Sequence, residues 1–200
     1  DWTSSGVLPR FFGIERREYG YGEFEYSKME NLLYGYRRPF VLDLKIGTQT
    51  WDCETVKRKL KKRISVDAQS TTTTLGIRFS GMERNVSGDK PIFYSRHLCT
   101  EEITSRAALL KYVRLFLNDG TRERVELLPP FIARVKAMIR LMEKNEFRMF
   151  STSVLFIYDA DAAYDDHRFN AKMIDYAHTW DLATEHFDED DGFLFGLSSL

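Results

Sequence analysis

Asp43 and Lys45 stand two residues apart inside Pro39-Phe-Val-Leu-Asp-Leu-Lys-Ile-Gly47, a run otherwise apolar enough to be a buried strand. Strand side chains alternate, so this spacing sets both charges on one face. Neighbouring buried charges cost several kcal/mol each in desolvation unless something satisfies them. Either a structural ion pair or a cleft holding a charged ligand meets that demand. A second concentration of charge follows. Lys57 and Lys61, Arg58 and Lys62, and Lys59 and Arg63 each stand one helical turn apart, where like charges repel by roughly a few tenths of a kcal/mol per pair. A bound polyanion would reverse that cost. A basic run is ordinarily a solvated face; this one directly follows the Asp43–Lys45 strand in a chain of net charge −1, which points to a local anion site. Nucleic acid is the competing polyanion, but no basic-aromatic interleaving or binding motif supports it. Asp175, in a strand-like run over 171–177, offers the carboxylate oxygen that a hard cation takes together with phosphates and water. Taken singly, it is equally an acid at a strand end.

These groups need elements to position them. Asp52 reads as a helix N-cap, and Cys53, Val56, Leu60 and Ile64 recur as an apolar stripe, predicting a helix over 53–64 with the cations on its opposite surface. Residues 7–14 read as an aromatic strand, 15–21 as a hairpin tip, and Phe24 and Tyr26 as a second strand leading into Glu30-Asn31-Leu32. Residues 75–82 alternate as a strand with Arg78 and Ser80 on the polar side. Thr100 reads as the cap of a helix through Ile103, Ala107, Leu110, Val113 and Leu117, and Pro129-Pro130 start another with Phe131, Val135, Met138, Ile139 and Met142 inward. Residues 150–159 and 171–177 read as a strand pair around a charged turn at 161–168; an acidic loop at 188–191 precedes a helix beginning at Phe193.

Composition bounds the rest. Two hundred residues at 43% hydrophobic make one domain or two small lobes with a sizeable core. With 29 basic and 30 acidic residues, no global field draws nucleic acid. Cys53 and Cys99 are too few for a disulfide framework and are not spaced as metal ligands, which reads as a reducing compartment. No apolar run approaches the roughly 18 residues that span a bilayer, so a soluble chain with no membrane partner is expected.

Pro39-x-x-x-Asp43-x-Lys45-x-Gly47 resembles the PxxxDxKxG motif of the inositol polyphosphate kinase family. The resemblance runs from Leu8-Pro9-Arg10-Phe11-Phe12-Gly13 to Gly192-Phe193-Leu194-Phe195-Gly196-Leu197. Thr152-Ser153-Val154-Leu155 resembles the family's Ser-Ser-Leu-Leu block and Ile174-Asp175-Tyr176 its Ile-Asp-Phe block, both with conservative departures. Gln69-Ser70-Thr71, Leu75-Gly76-Ile77-Arg78 and Asn118-Asp119-Gly120-Thr121-Arg122 look most like the hexakisphosphate kinase branch, whereas Thr50-Trp51-Asp52 looks more like the multikinase branch.

The resemblance implies an α+β, two-lobed kinase fold with antiparallel sheets. Residues 1–33 would be the remnant of an N-terminal lobe and hinge, and 34–200 the catalytic lobe. That N-terminal lobe is expected to be incomplete, because the family's first strands and their ATP-contacting lysine have no counterpart before Asp1. The implied activity is ATP- and magnesium-dependent phosphorylation of an inositol polyphosphate, foremost inositol hexakisphosphate. The alternatives are a multikinase acting on less phosphorylated inositols and a non-catalytic inositol-phosphate-binding module. By carry-over, Glu30 and Leu32 are the nucleotide hinge and Asp43 orients the nucleotide near its ribose. Lys45 reaches the transferred phosphoryl group and the substrate, and Asp175 holds magnesium with Ser153 close by. Lys59, Lys61, Lys62, Arg63 and His178 grip the substrate's phosphates. A monomer in the cytoplasm or nucleus is expected.

Overall fold

Alternation along Pro39–Ile46 decides the architecture: Phe40, Leu42, Leu44 and Ile46 are buried on one side, while Val41, Asp43 and Lys45 lie half-buried on the other. The computed structural model describes residues 5–144, 147–162, 168–182 and 192–200. Most of the turn expected at 161–168 and the acidic loop expected at 188–191 lie outside the described residues.

In chain order the strands are β1 (Phe11–Tyr19), β2 (Gly22–Met29), β3 (Pro39–Ile46), β4 (Ile77–Arg84), β5 (Ile92–Tyr94), β6 (Phe147–Met149), β7 (Ser153–Asp159), β8 (Phe169–Ile174) and β9 (Thr179–Asp181). The helices are α1 (Lys57–Gln69), α2 (Thr72–Leu75), α3 (Leu98–Glu101), α4 (Arg106–Leu117), α5 (Leu128–Glu143) and α6 (Gly192–Ser199). The fold is α+β with antiparallel sheets, as expected. Its centre is a five-stranded sheet in the order β5-β4-β3-β7-β8, with β3 in the middle. Helices α4, α5 and α6 pack against it. On the apolar face, Phe40 stacks on Tyr158 with ring centroids 4.8 Å apart, and the Tyr158 hydroxyl donates to the Phe116 carbonyl at 2.8 Å.

The other face carries the charged residues of β3. Pairing places Lys45 between Arg78 and Ser153, and Asp43 between Gly81 and Leu155, with Lys172 next in that row. A bulge after Asp43 inserts Ser80 into β4, so Ser80 and Gly81 together face one residue of β3. Gly47 ends β3 at a φ of 116°, a conformation that disfavours any side chain.

Several boundaries differ from the sequence-based expectations; the strands expected at 150–159 and 171–177 are β7 and β8, and β8 ends at Ile174, so Asp175 lies just past it rather than within it. Strand β1 starts later and runs through the expected hairpin tip, since the turn is Gly20-Tyr21, and the hairpin β1-β2 is largely exposed. Helix α1 begins at Lys57 rather than Cys53. The Asp52 carboxylate does not cap it because it is taken by Thr55, His178 and Trp180. The apolar stripe of α1 is not its buried side either: Val56 and Ile64 are exposed, while Asp67 is buried. The helix expected from Thr100 is two pieces, and Ser105 caps α4, its hydroxyl accepting from the Ala108 amide at 3.2 Å. Last, the Thr-rich stretch before β4 folds as the short helix α2, ended by Gly76 in the left-handed conformation.

Candidate functional site

Lys45 is the junction of the site. Its ammonium donates to the Ser151 carbonyl at 2.6 Å, lies 3.5 Å from the Ser153 hydroxyl, and pairs with the Asp175 carboxylate at 3.6 Å. Ser153 is fully buried at the start of β7. Asp175 follows the last residue of β8 at a φ of 59° and keeps 63% of its side chain exposed. That left-handed backbone costs a non-glycine residue on the order of 1–3 kcal/mol, a strain that aims the carboxylate out of the sheet end. Neighbouring Asp43 has one carboxylate oxygen, Oδ1, buried with no hydrogen-bond partner among the described residues. Burial pushes the Asp43 carboxyl above the usual carboxylate range, opposed by Ser153 and Lys45. Burial likewise pulls the Lys45 ammonium down, opposed by Asp175 and Asp43. Both shifts run against the charged form, so an added donor to Asp43 and an added anion at Lys45 would each offset a desolvation cost.

On one side of Lys45 opens a cavity of about 560 Å³ between α1, β4 and the loop before α3. Its basic lining is Lys45, Lys59, Lys62, Arg63, Arg78 and Arg96, and among the described residues no acid lines it. Asp67 lies behind this wall: it pairs with Arg78 at 2.8 Å and accepts from the Thr50 amide at 2.8 Å and hydroxyl at 2.9 Å. Arg63 donates to the Thr50 carbonyl. One buried carboxylate thus ties α1 to β4 and fixes the guanidinium of Arg78.

The predicted residues divide accordingly. Asp43, Lys45, Ser153 and Asp175 meet, and Lys59, Lys62 and Arg63 line the adjoining cavity; Lys61 and His178 are not among its lining residues. His178 is held by Asp52, whose carboxylate takes its Nδ1 at 2.8 Å, the Thr55 hydroxyl at 2.7 Å and the Trp180 indole N–H at 3.3 Å. Burial raises the Asp52 carboxyl, but these donors outweigh it and leave the group below its ordinary range. Glu30, just past β2, exchanges hydrogen bonds with the Arg10 backbone and approaches the Lys172 ammonium to 4.0 Å. Leu32 follows in a turn closed by the Leu33 amide on the Asn31 side chain at 3.0 Å. Because Lys172 shares a row with Asp43 across β7, Glu30 reaches the same sheet face. Sequence reasoning missed Arg78, Arg96, His97 and Asp52 as site residues. Alternation marked Arg78 as polar-facing, but nothing periodic marks the other three.

A family model described as inositol polyphosphate kinase matches residues 26–200. The chain is 33% identical over 196 residues to inositol hexakisphosphate kinase 3 of Mus musculus, covering 86% of this chain and 48% of that protein. It is 30% identical over 205 residues to inositol hexakisphosphate kinase 3 of Homo sapiens, with the same coverage of 86% and 48%. The chain therefore spans about half the length of the curated relatives it matches. The structure of the inositol phosphate multikinase of S. cerevisiae in complex with ADP and Mn2+ superimposes with a TM-score of 0.80 at 22% identity, over 98% of this chain and 87% of that one. At that identity the likeness is one of fold.

Proposed function

The chain belongs to the inositol polyphosphate kinase family, and on that premise we propose that it moves the terminal phosphoryl group of ATP, with magnesium, onto an inositol polyphosphate. The substrate we favour is inositol hexakisphosphate, giving a diphosphoinositol pentakisphosphate. The observation that carries this reading is the Lys45–Asp175 ion pair beside Asp43, opening directly on a cavity lined by six cationic side chains. Hexakisphosphate kinases among the relatives support the substrate, and the ADP and Mn2+ of the multikinase structure support a nucleotide with a divalent cation.

The residues fit such partners. The unpaired oxygen of Asp43 suits a ribose hydroxyl donor, and the exposed Asp175 carboxylate, with Ser153 behind it, supplies hard oxygen for magnesium. Among the described residues no cluster of three or more His, Cys, Asp or Glu could hold a metal alone, so the remaining ligands would come from phosphates and water. When bound, the metal neutralises charge on the phosphates. Lys45, fixed by the Ser151 carbonyl, reaches between that acid and the cavity and is placed to follow negative charge as it passes from nucleotide to acceptor. Lys59, Lys62 and Arg63 orient the acceptor through its phosphates, so alignment and charge neutralisation, rather than covalent catalysis, supply the rate. Glu30 and Leu32 are assigned to the nucleotide's base, residues 1–33 to an N-terminal lobe and hinge, and residues 34–200 to the catalytic lobe.

Product analysis tests this. The chain is incubated with ATP, magnesium and inositol hexakisphosphate, with an inositol trisphosphate in a parallel arm. A product one phosphate heavier is expected in the first arm, with turnover falling about 100-fold or more in Lys45→Met. Turnover of the trisphosphate alone would assign the multikinase branch, and binding without turnover in either arm would leave a binding module.

A further inference from the structure

We propose that Arg96 and His97, on the loop between β5 and α3, form a second phosphate-recognising wall that makes the site prefer a ring phosphorylated on all sides over a sparsely phosphorylated one. This rests on the reading of the cavity as an inositol-phosphate site and adds to it the residues that count phosphates. The argument begins with which cations still have charge to offer. Arg78 is paired with Asp67 and Lys45 with Asp175, while Arg63 keeps its charge but gives one N–H to the Thr50 carbonyl. Lys59, Lys62 and Arg96 line the same cavity and have no ion-pair partner among the described residues. The two lysines sit on α1; Arg96 reaches the cavity from a different element, beside His97.

The loop's backbone from Arg96 to Thr100 is held in place. The Cys99 amide donates to the Arg96 carbonyl at 3.2 Å, the Thr100 amide to the His97 carbonyl at 3.1 Å, and the His97 amide to the Ser95 hydroxyl at 3.3 Å. Helix α3 touches α1 and β4, so the loop is anchored to both other walls, and buried Cys99 pins it. A ring with phosphates on one edge is satisfied by the α1 lysines. A ring with phosphates around its whole circumference turns further anions towards the opposite wall, where a guanidinium can take a phosphate in bidentate fashion. The cavity, about 560 Å³, is within the usual range for small-molecule sites.

The test is calorimetric titration of the chain with inositol hexakisphosphate and with an inositol trisphosphate. The variants are wild type, Arg96→Ala, the double variant Arg96→Ala/His97→Ala, and Lys111→Ala on the exposed surface of α4 as a matched loss of charge. For Arg96→Ala, the expected result is a loss of hexakisphosphate affinity on the order of tenfold with less than about threefold for the trisphosphate. The double variant should lose more, and Lys111→Ala should leave both ligands near wild type. Equal loss for both ligands, or a loss matched by Lys111→Ala, would reduce Arg96 to a diffuse charge and overturn the proposal. Tight wild-type binding unaffected by Arg96→Ala would overturn it while sparing the inositol-phosphate reading; failure of wild type to bind either ligand would sink both.

Discussion

Replacing Gly196 by Ala sets two effects of known sign against each other. Gly196 lies within α6, where exchanging glycine for alanine normally stabilises a helix by about 1 kcal/mol. Here the added methyl has no room. A Cβ would lie 2.1 Å from the Gly76 carbonyl oxygen, 2.8 Å from Ile46 Cγ2 and 2.9 Å from the Gly47 amide nitrogen. Two of these neighbours are backbone, and the oxygen is the one that accepts the Gly47 N–H at 2.9 Å where β3 ends. Overpacking costs about 1–3 kcal/mol, and losing a buried backbone hydrogen bond adds about 1 kcal/mol. Against a helix gain of about 1 kcal/mol, the net is a destabilisation of roughly 1–3 kcal/mol. For a chain of this size that is a fall in Tm of roughly 5 °C. Urea unfolding followed by circular dichroism measures it, with the midpoint falling and the slope m unchanged. A midpoint equal to or above wild type would refute the claim that α6 and the Gly76 turn meet backbone to backbone behind the motif strand.

Two further outcomes follow from named carboxylates. Asp159 is buried, which raises its carboxyl, but the amides of Arg37, Arg38 and Asp161 donate to it at 2.9, 3.0 and 3.0 Å and hold it below the ordinary carboxylate range. A depressed folded-state value stabilises the fold above the unfolded value of about 3.9, and that stabilisation is lost as pH falls through the folded value. The stability gap between wild type and Asp159→Asn should therefore narrow in urea titrations taken from pH 7 down to pH 3, and a constant gap would contradict the assignment. At Asp52, the depressed carboxylate can only accept, so the proton between the two groups sits on His178 Nδ1. Imidazole nitrogen shifts should report a protonated Nδ1 in wild type and a mixture of Nδ1–H and Nε2–H forms in Asp52→Ala; an unprotonated Nδ1 in wild type would overturn it.

What could be read from the chain alone follows the range of the interactions involved. The β3 strand was legible because its determinant is local: a spacing of two inside an apolar run forces Asp43 and Lys45 onto one face, and neighbouring β4 alternates in the same way around its bulge. Asp175 was legible for a similar reason, as an acid just past a strand. Helix α1 was misplaced because the partners that take Asp52 away from capping, His178 and Trp180, lie 126 and 128 residues along the chain. Periodicity also found an apolar stripe in α1 without revealing that its buried side would be built on Asp67. That inversion has a physical cause. A helix that walls a cationic cavity turns charge inward, so α1 anchors chiefly through a buried carboxylate that fixes Arg78 and Thr50, with Val66 the apolar residue it packs on the core. The apolar residues Val56 and Ile64 are then left outside. Arg96 and His97 carry no pattern at all, since a loop has no period. Only the pairing of β4 with β5, followed by the turn into α3, brings them to the cavity. The groups proposed to move the phosphoryl sit where a short local pattern dictates them, whereas the groups proposed to choose its acceptor depend on how distant segments close around that pattern.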